Sequence, residues 1–432
     1  MATGLARFGT LGRAEQTMVD GIGNGVFDRV GAGGLPNAGD QDRQVRAELI
    51  RALLLGGEGM PPMHEKGLRL SGAWITGTLD LEGCRIPRDI GLLDCRFDAI
   101  PVLRSAVIDT LSLDGSVLPG LNADRVEARG DLLFRSATID GVVALKGARI
   151  EGDLVFDGAS LANPGEVCIA AERISVRGGT LFRGARLDGE LILSGGRIGG
   201  HLDLVGATIE RPDAFAVEAN SVTVGGDVAL RHATMTGSFD LQTARVGGDL
   251  DLSGAKLSAP GGMALNLDRT KVLAAFFLRQ GARIEGTLSL AGAELGAILD
   301  EPASWPATDD LVLNRCLYGA LLGAATDAPL RLDWLARQTP SRWGEDFWPQ
   351  PYEHLAKVLR EMGHDDDARS VLMEKERLSR RARRARTENP LSRALMLVND
   401  SFLGLTTGYG RMPLLALVWM FVLWALGAML YT

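Results

Sequence analysis

The chain has 432 residues, 46% hydrophobic and 23% charged, proportions that exclude a wholly disordered polymer. Its 55 glycines are nearly twice the usual share, yet with only 17 prolines and no Gly-X-Y period it is not collagen. A net charge of −8 excludes a nucleic-acid binder of the wholly basic type, and the four scattered cysteines (Cys84, Cys95, Cys168, Cys316) form neither a disulfide framework nor a metal motif.

At the N-terminus no apolar signal-like segment is seen, so no cleavable secretory leader is expected. Residues 1–30 are Gly-rich and aperiodic, which predicts a poorly ordered lead-in. In 40–55 (DQDRQVRAELIRALLL), Val45, Leu49 and Leu53 recur at every fourth position, with Asp before and Gly-Gly after. That predicts a helix capping the open end of a repeat region that begins soon after it.

From about residue 69 a phrase of ten or eleven residues repeats: GTLDLEGCRI (77–86), GDLVFDGASL (152–161), GHLDLVGATI (200–209), GDLDLSGAKL (248–257). The closing aliphatics at Ile150, Leu161, Ile174, Leu187 and Ile198 are spaced 11, 13, 13 and 11, so a 48-residue superperiod overlies the phrase. Phe134, Phe182, Leu230 and Leu278 keep that period, each followed by an arginine (Arg135, Arg183, Arg231, Arg279). Each phrase is two short strands of alternating apolar residues joined by a small-residue corner, too short to pair as hairpins. Such a chain coils, stacking each strand on the one a turn below, with Leu, Ile and Ala inward and charges outward. The reading is a mainly β chain, a parallel β-helix. Two units of eleven make a narrow coil, two of thirteen make a wide one, and the two kinds alternate. At about 4.8 Å per coil, residues 69–300 make roughly ten coils and a rod of about 45 Å.

The small-x-large core pairs Ala137-x-Ile139, Ala207-x-Ile209 and Ala255-x-Leu257 resemble the pentapeptide-repeat β-helices. The unit here is five plus six, with inserts at 162–167 (ANPGEV), 210–215 (ERPDAF) and 258–263 (SAPGGM). These predict a cross-section less regular than that family's square.

After Ala297 the repeat stops and helical spacing takes over. Residues 352–377 place Leu355, Val358 and Leu359 on one helix and Ala368, Val371 and Leu372 on another, with Gly363 between, similar to a single tetratricopeptide-type hairpin. A basic run comes next: Arg377, Arg380, Arg381, Arg383, Arg384 and Arg386. Residues 391–405 read as an interfacial helix. The stretch from Met412 to Tyr431 (MPLLALVWMFVLWALGAMLY) holds no charged residue and is long enough to span hydrocarbon, which predicts one terminal transmembrane helix. The basic run then lies on the cytoplasmic side, against anionic lipid. The expected division is 1–64 lead-in and cap, 65–300 solenoid, 301–386 helical hairpin and basic run, 387–411 interfacial segment, and 412–432 membrane helix.

No catalytic, cofactor-binding or metal-binding residue stands out; the five histidines do not cluster at ligand spacing. Arg135, Arg183, Arg231 and Arg279 form a ladder with steps of about 9.6 Å, which either binds an extended anionic partner or solvates a face. The motifs GLRLSGAWITGTLDLEG (67–83) and PYEHLAKVLREMGH (351–364), in this layout, resemble a family of bacterial membrane-associated β-solenoid proteins. Members are often labelled membrane-associated oxidoreductases. The resemblance and the arginine run together imply a single-pass protein of the bacterial inner membrane, the bulk of the chain cytoplasmic. The function expected is a non-enzymatic scaffold with a protein partner on the solenoid flank, a homo-oligomer left open, no cofactor and no nucleic acid. An oxidoreductase, or an effector that oligomerises to perturb the bilayer, stays open as an alternative.

Overall fold

The computed structural model describes residues 4–31, 34–323, 326–387, 389–407 and 413–431. Its body is a parallel β-solenoid of about 12 turns, with 21 strands across two of its sides and 14 across the other two. One coil shows the plan. Arg197–Ile198 forms the first side, Leu202–Asp203 the second, and the two ends of Thr208–Glu218 the third and fourth. Thr223 then stacks directly on Arg197.

The superperiod is two coils, as the spacing requires. On the first side Arg149 pairs with Ser175, Ser175 with Arg197, Arg197 with Thr223 and Thr223 with Arg245, so wide and narrow steps alternate. Every wide coil carries one of the inserts, and the register shifts there, between Ala162 and Val167 and between Glu210 and Phe215. Each insert folds down onto a glycine of the next, narrow coil. A Cβ at Gly237 would lie 2.2 Å from the Arg211 carbonyl oxygen, and one at Gly286 would lie 2.3 Å from that of Ala259.

Inward alternation builds the core. In the coil from Ala233 to Leu252, Met235, Phe239, Leu241, Ala244, Val246 and Leu250 are all buried, and each large apolar side chain removed from water contributes about 1.5–3 kcal/mol. Like stacks on like along the axis. Phe134, Phe156 and Phe182 lie face to face, their ring centroids 4.7 and 5.2 Å apart.

The corner before each third side uses one left-handed residue. Glycine fills it at Gly158, Gly206 and Gly254, but Ser136 and His232 adopt the same conformation at φ 54° and 57°.

Three expectations are corrected. The solenoid has about 12 turns, not ten, because the strands Asp28–Arg29 and Gln44–Arg46 add a turn ahead of residue 69 and one coil lies beyond residue 300. That last coil, with strands at Leu311–Val312 and Leu317–Leu322, places Arg315 and Cys316 where the coil before it has Gly292 and Ala293. The lead-in is ordered over its described residues, 4–30: α1 (Arg13–Gly21) buries Ala14 and Met18, and Asp28–Arg29 pairs with Leu70–Ser71. The N-terminal helix begins later than its spacing suggests. Gln44–Arg46 is a strand stacked on Trp74–Thr76, and only Ala47–Leu55 is α2.

The expected hairpin is present as α4 (Gln350–Glu361) and α5 (Asp365–Arg386), turned at Gly363 with φ 88°. Ahead of it lies α3 (Ala328–Ala336); after it come α6 (Pro390–Thr407) and α7 (Pro413–Tyr431).

Candidate functional site

Two regions carry the charge that the sequence singles out: the solenoid flank with the arginine ladder, and the C-terminal helices with the basic run.

The ladder stands on one corner, with a rung at every second coil. Backbone hydrogen bonds link Gly115 to Arg135, Ser136 to Asp157, Gly158 to Arg183, Gly184 to Val205 and Gly206 to Arg231. Acids occupy neighbouring rungs. Arg135 lies 3.1 Å from Asp114; Arg183 lies 2.6 Å from Asp203 and 3.9 Å from Asp157; Arg231 lies 3.9 Å from Asp251. Hydrogen bonding to Asp203 holds the Arg183 guanidinium above its ordinary value. Arg279 donates to the Ser253 hydroxyl at 3.3 Å and lies over the Phe277 ring. The ladder is therefore regular, and its first three rungs are ion-paired within the solenoid.

At the C-terminal end the core column Leu230, Leu252, Leu278 reaches Asp300, which pairs in register with Leu278. Asp300 is buried. It accepts hydrogen bonds from Arg331 on α3 and from the Trp305 indole at 2.7 Å. The open backbone edge of the last coil is satisfied by side chains. Gln338 accepts from the Leu313 amide at 3.2 Å, and Gln350 accepts from that of Arg315 at 2.8 Å while donating to the Cys316 carbonyl at 3.2 Å. The His354 Nε2 lies 2.8 Å from the Tyr318 amide and 3.0 Å from its carbonyl. Desolvation there, above all, holds the imidazole below its ordinary value.

The basic run occupies the second half of α5, where most of it is engaged. Arg377 pairs with Glu374 at 2.9 Å, Arg380 with Glu376 at 2.9 Å and with Asp400 at 2.8 Å, and Arg384 with Asp400 at 2.6 Å; Arg386 pairs with Asp346. Asp400, buried on α6, is thus clamped by two arginines one turn apart, which fixes α6 to α5. Sequence reading missed this clamp, since Asp400 stands alone in an apolar stretch. Arg381 and Arg383 are exposed and make no ion pair among the described residues. Ahead of the clamp α6 turns Leu391, Leu395 and Val398 outward, each at least 67% exposed, and α7 exposes Phe421, Leu423 and Trp424.

α7 is 19 residues without a charge. Among the described residues no helix is long and apolar enough to cross a membrane. The transmembrane helix expected over 412–432 is therefore not shown by the structure; Met412 and Thr432 lie outside the described residues, and the side chains described on α7 begin at 417. No group of three metal-ligating side chains occurs among the described residues. His201 is engaged with Asp227 of the next coil, accepting its amide at 3.0 Å.

No protein-family model, curated protein or solved structure matches the chain.

Proposed function

We propose that this chain is a membrane-tethered, non-enzymatic scaffold whose solenoid presents a flank to a protein partner on the cytoplasmic face of a bacterial inner membrane. The observation that carries the tether is the uncovered apolar surface of α6 and α7 directly after the basic run. An uncharged stretch of this length matches about 30 Å of hydrocarbon, and arginines beside it favour the cytoplasmic side. This layout is also the basis of the resemblance to membrane-associated β-solenoid proteins.

Three of the four cysteines are poor candidates for a thiol-based redox centre. Burial pushes Cys95 and Cys316 up to about 12 and Cys168 to about 11, so the reactive thiolate is suppressed at all three.

Alkaline-carbonate extraction of membranes tests the tether. The full chain should stay in the pellet, and a chain lacking 412–432 should move to the supernatant. Protease added to intact spheroplasts should leave the solenoid uncut. Release of the full chain by carbonate, or cleavage from outside, rejects the tether or its orientation. A flavin or nicotinamide co-purifying in stoichiometric amount would move the reading to the oxidoreductase.

A further inference from the structure

The solenoid side that carries organised but unanswered positive charge is not the ladder corner. On the first side, Arg149, Arg197 and Arg245 recur once per superperiod in one outward column. Arg125, Arg173 and Arg269 keep the same superperiod in the column before it, with Ser221 between the last two. From the coil of Arg173 to that of Arg269, the outward positions of this side are Arg173, Ser175, Arg177, Arg197, Ser221, Thr223, Thr243, Arg245, Arg269, Lys271 and Leu273, and the rest are bare glycine. None is acidic. Arg173, Arg197, Arg245 and Arg269 are exposed and make no ion pair among the described residues. Acids close both ends of the patch: Glu151 stands 3.4 Å from Arg177, and Glu294 stands 2.7 Å from Lys271. Others flank it beyond the corners, where Glu172 pairs with Lys146 and Asp227 and Asp249 accept backbone amides.

We infer that this patch docks an extended acidic segment of a partner protein, its carboxylates held by Arg173, Arg197, Arg245 and Arg269. The inference rests on the scaffold reading above and names the chemistry of its partner. Arginine forks match carboxylates two bonds at a time, and serine and threonine hydroxyls beside bare backbone let a chain lie close. From Arg173 to Arg269 the patch spans four coil steps, about 19 Å, the length of roughly six extended residues. No aromatic side chain stands in it to stack a nucleobase, which disfavours single-stranded nucleic acid. A flat anionic bilayer would meet the whole side at once, including Glu127, Glu151 and Glu294. A narrow segment meets only the acid-free middle.

The test is fluorescence anisotropy of the detergent-solubilised full chain with a short fluorescein-labelled poly-glutamate peptide. Binding should weaken about tenfold or more in the triple variant Arg197→Gln/Arg245→Gln/Arg269→Gln, and should fall steeply with salt. The charge-matched variant Arg186→Gln/Lys256→Gln/Arg283→Gln, on the third side, should bind within about twofold of the parent. Equal loss in the two variants, or no binding by the parent, overturns the patch. So does tighter binding of a single-stranded DNA of matching length than of the peptide. None of these outcomes touches the carbonate result, so a failed tether and a failed patch are told apart.

Discussion

Arg331 donates from its two terminal nitrogens to the two carboxylate oxygens of Asp300, at 2.8 and 2.7 Å, with both side chains all but fully buried. The arginine also lies over the rings of Trp305 and Trp334, 5.6 and 5.2 Å from their centroids. Asp300 occupies the position that Leu278 fills one coil earlier. The stacking column therefore ends on an ion pair that pins α3 to the solenoid.

Breaking that pair from one side leaves a buried charge. Arg331→Met should cost about 3–5 kcal/mol, while Asp300→Leu combined with Arg331→Leu, which restores the column's own residue, should lose far less. Urea denaturation followed by circular dichroism measures both. A double variant no more stable than the single one would show that the pair is more than a substitute for leucine.

The inward and outward alternation predicts a sharp contrast between neighbours. Leu252 is buried, whereas Asp251 accepts the Ser253 amide at 2.9 Å at the surface. Leu252→Asp should cost several kcal/mol, and Asp251→Asn should cost no more than about 1 kcal/mol. Thermal midpoints that fall equally would contradict the alternation.

Left-handed corners give a test free of packing. A Cβ at Gly206 meets nothing within 4 Å, so Gly206→Ala should cost only the backbone strain, about 1–2 kcal/mol. At the equivalent corner His232→Gly should be neutral or stabilising by up to about 1 kcal/mol, since strain is relieved. The same unfolding series reads both, and a stabilised Gly206→Ala would refute the strain argument.

The cap at His354 should respond to pH. Its folded value lies below the unfolded one, so the unfolded state binds the extra proton, and the imidazole contributes fully only above about pH 6.5. Stability should decline as pH falls below that point, and His354→Gln should flatten that part of the profile. Amide exchange in 311–322 should rise first. An unchanged slope in the variant would assign the loss to other groups.

The sequence speaks clearly where one residue type recurs at a fixed step, and less clearly where a single contact joins distant segments. The superperiod reveals the alternation of narrow and wide coils because Leu, Ile and Ala repeat without interruption. The last coil was hidden because residues 314–317 (NRCL) lack the small-residue corner of the coil before them, although Arg173 and Arg269 hold the same left-handed corner earlier. The strands Asp28–Arg29 and Gln44–Arg46 are too short for any periodicity to register. Arg331 and Asp300 are far apart along the chain, and nothing local couples them. The pairing of the ladder was legible in principle, because Asp157 and Arg183 hold matching places in FDGASL and FRGARL. So were the two arginine columns of the first side, which share the ladder's own period.

The seating of each insert on a glycine of the adjoining coil also sets how such a rod can grow. Duplicating a wide turn alone would place one overhang against another, and duplicating a narrow turn would leave a vacant seat. Within the alternating stretch after residue 149, tandem duplication thus keeps the seating only two coils at a time, adding about 9.6 Å of length per event, whereas the insert-free coils before it stack one on another. Every added pair of coils also brings another arginine in phase with Arg149, Arg197 and Arg245, so reach and the number of cationic contacts rise together.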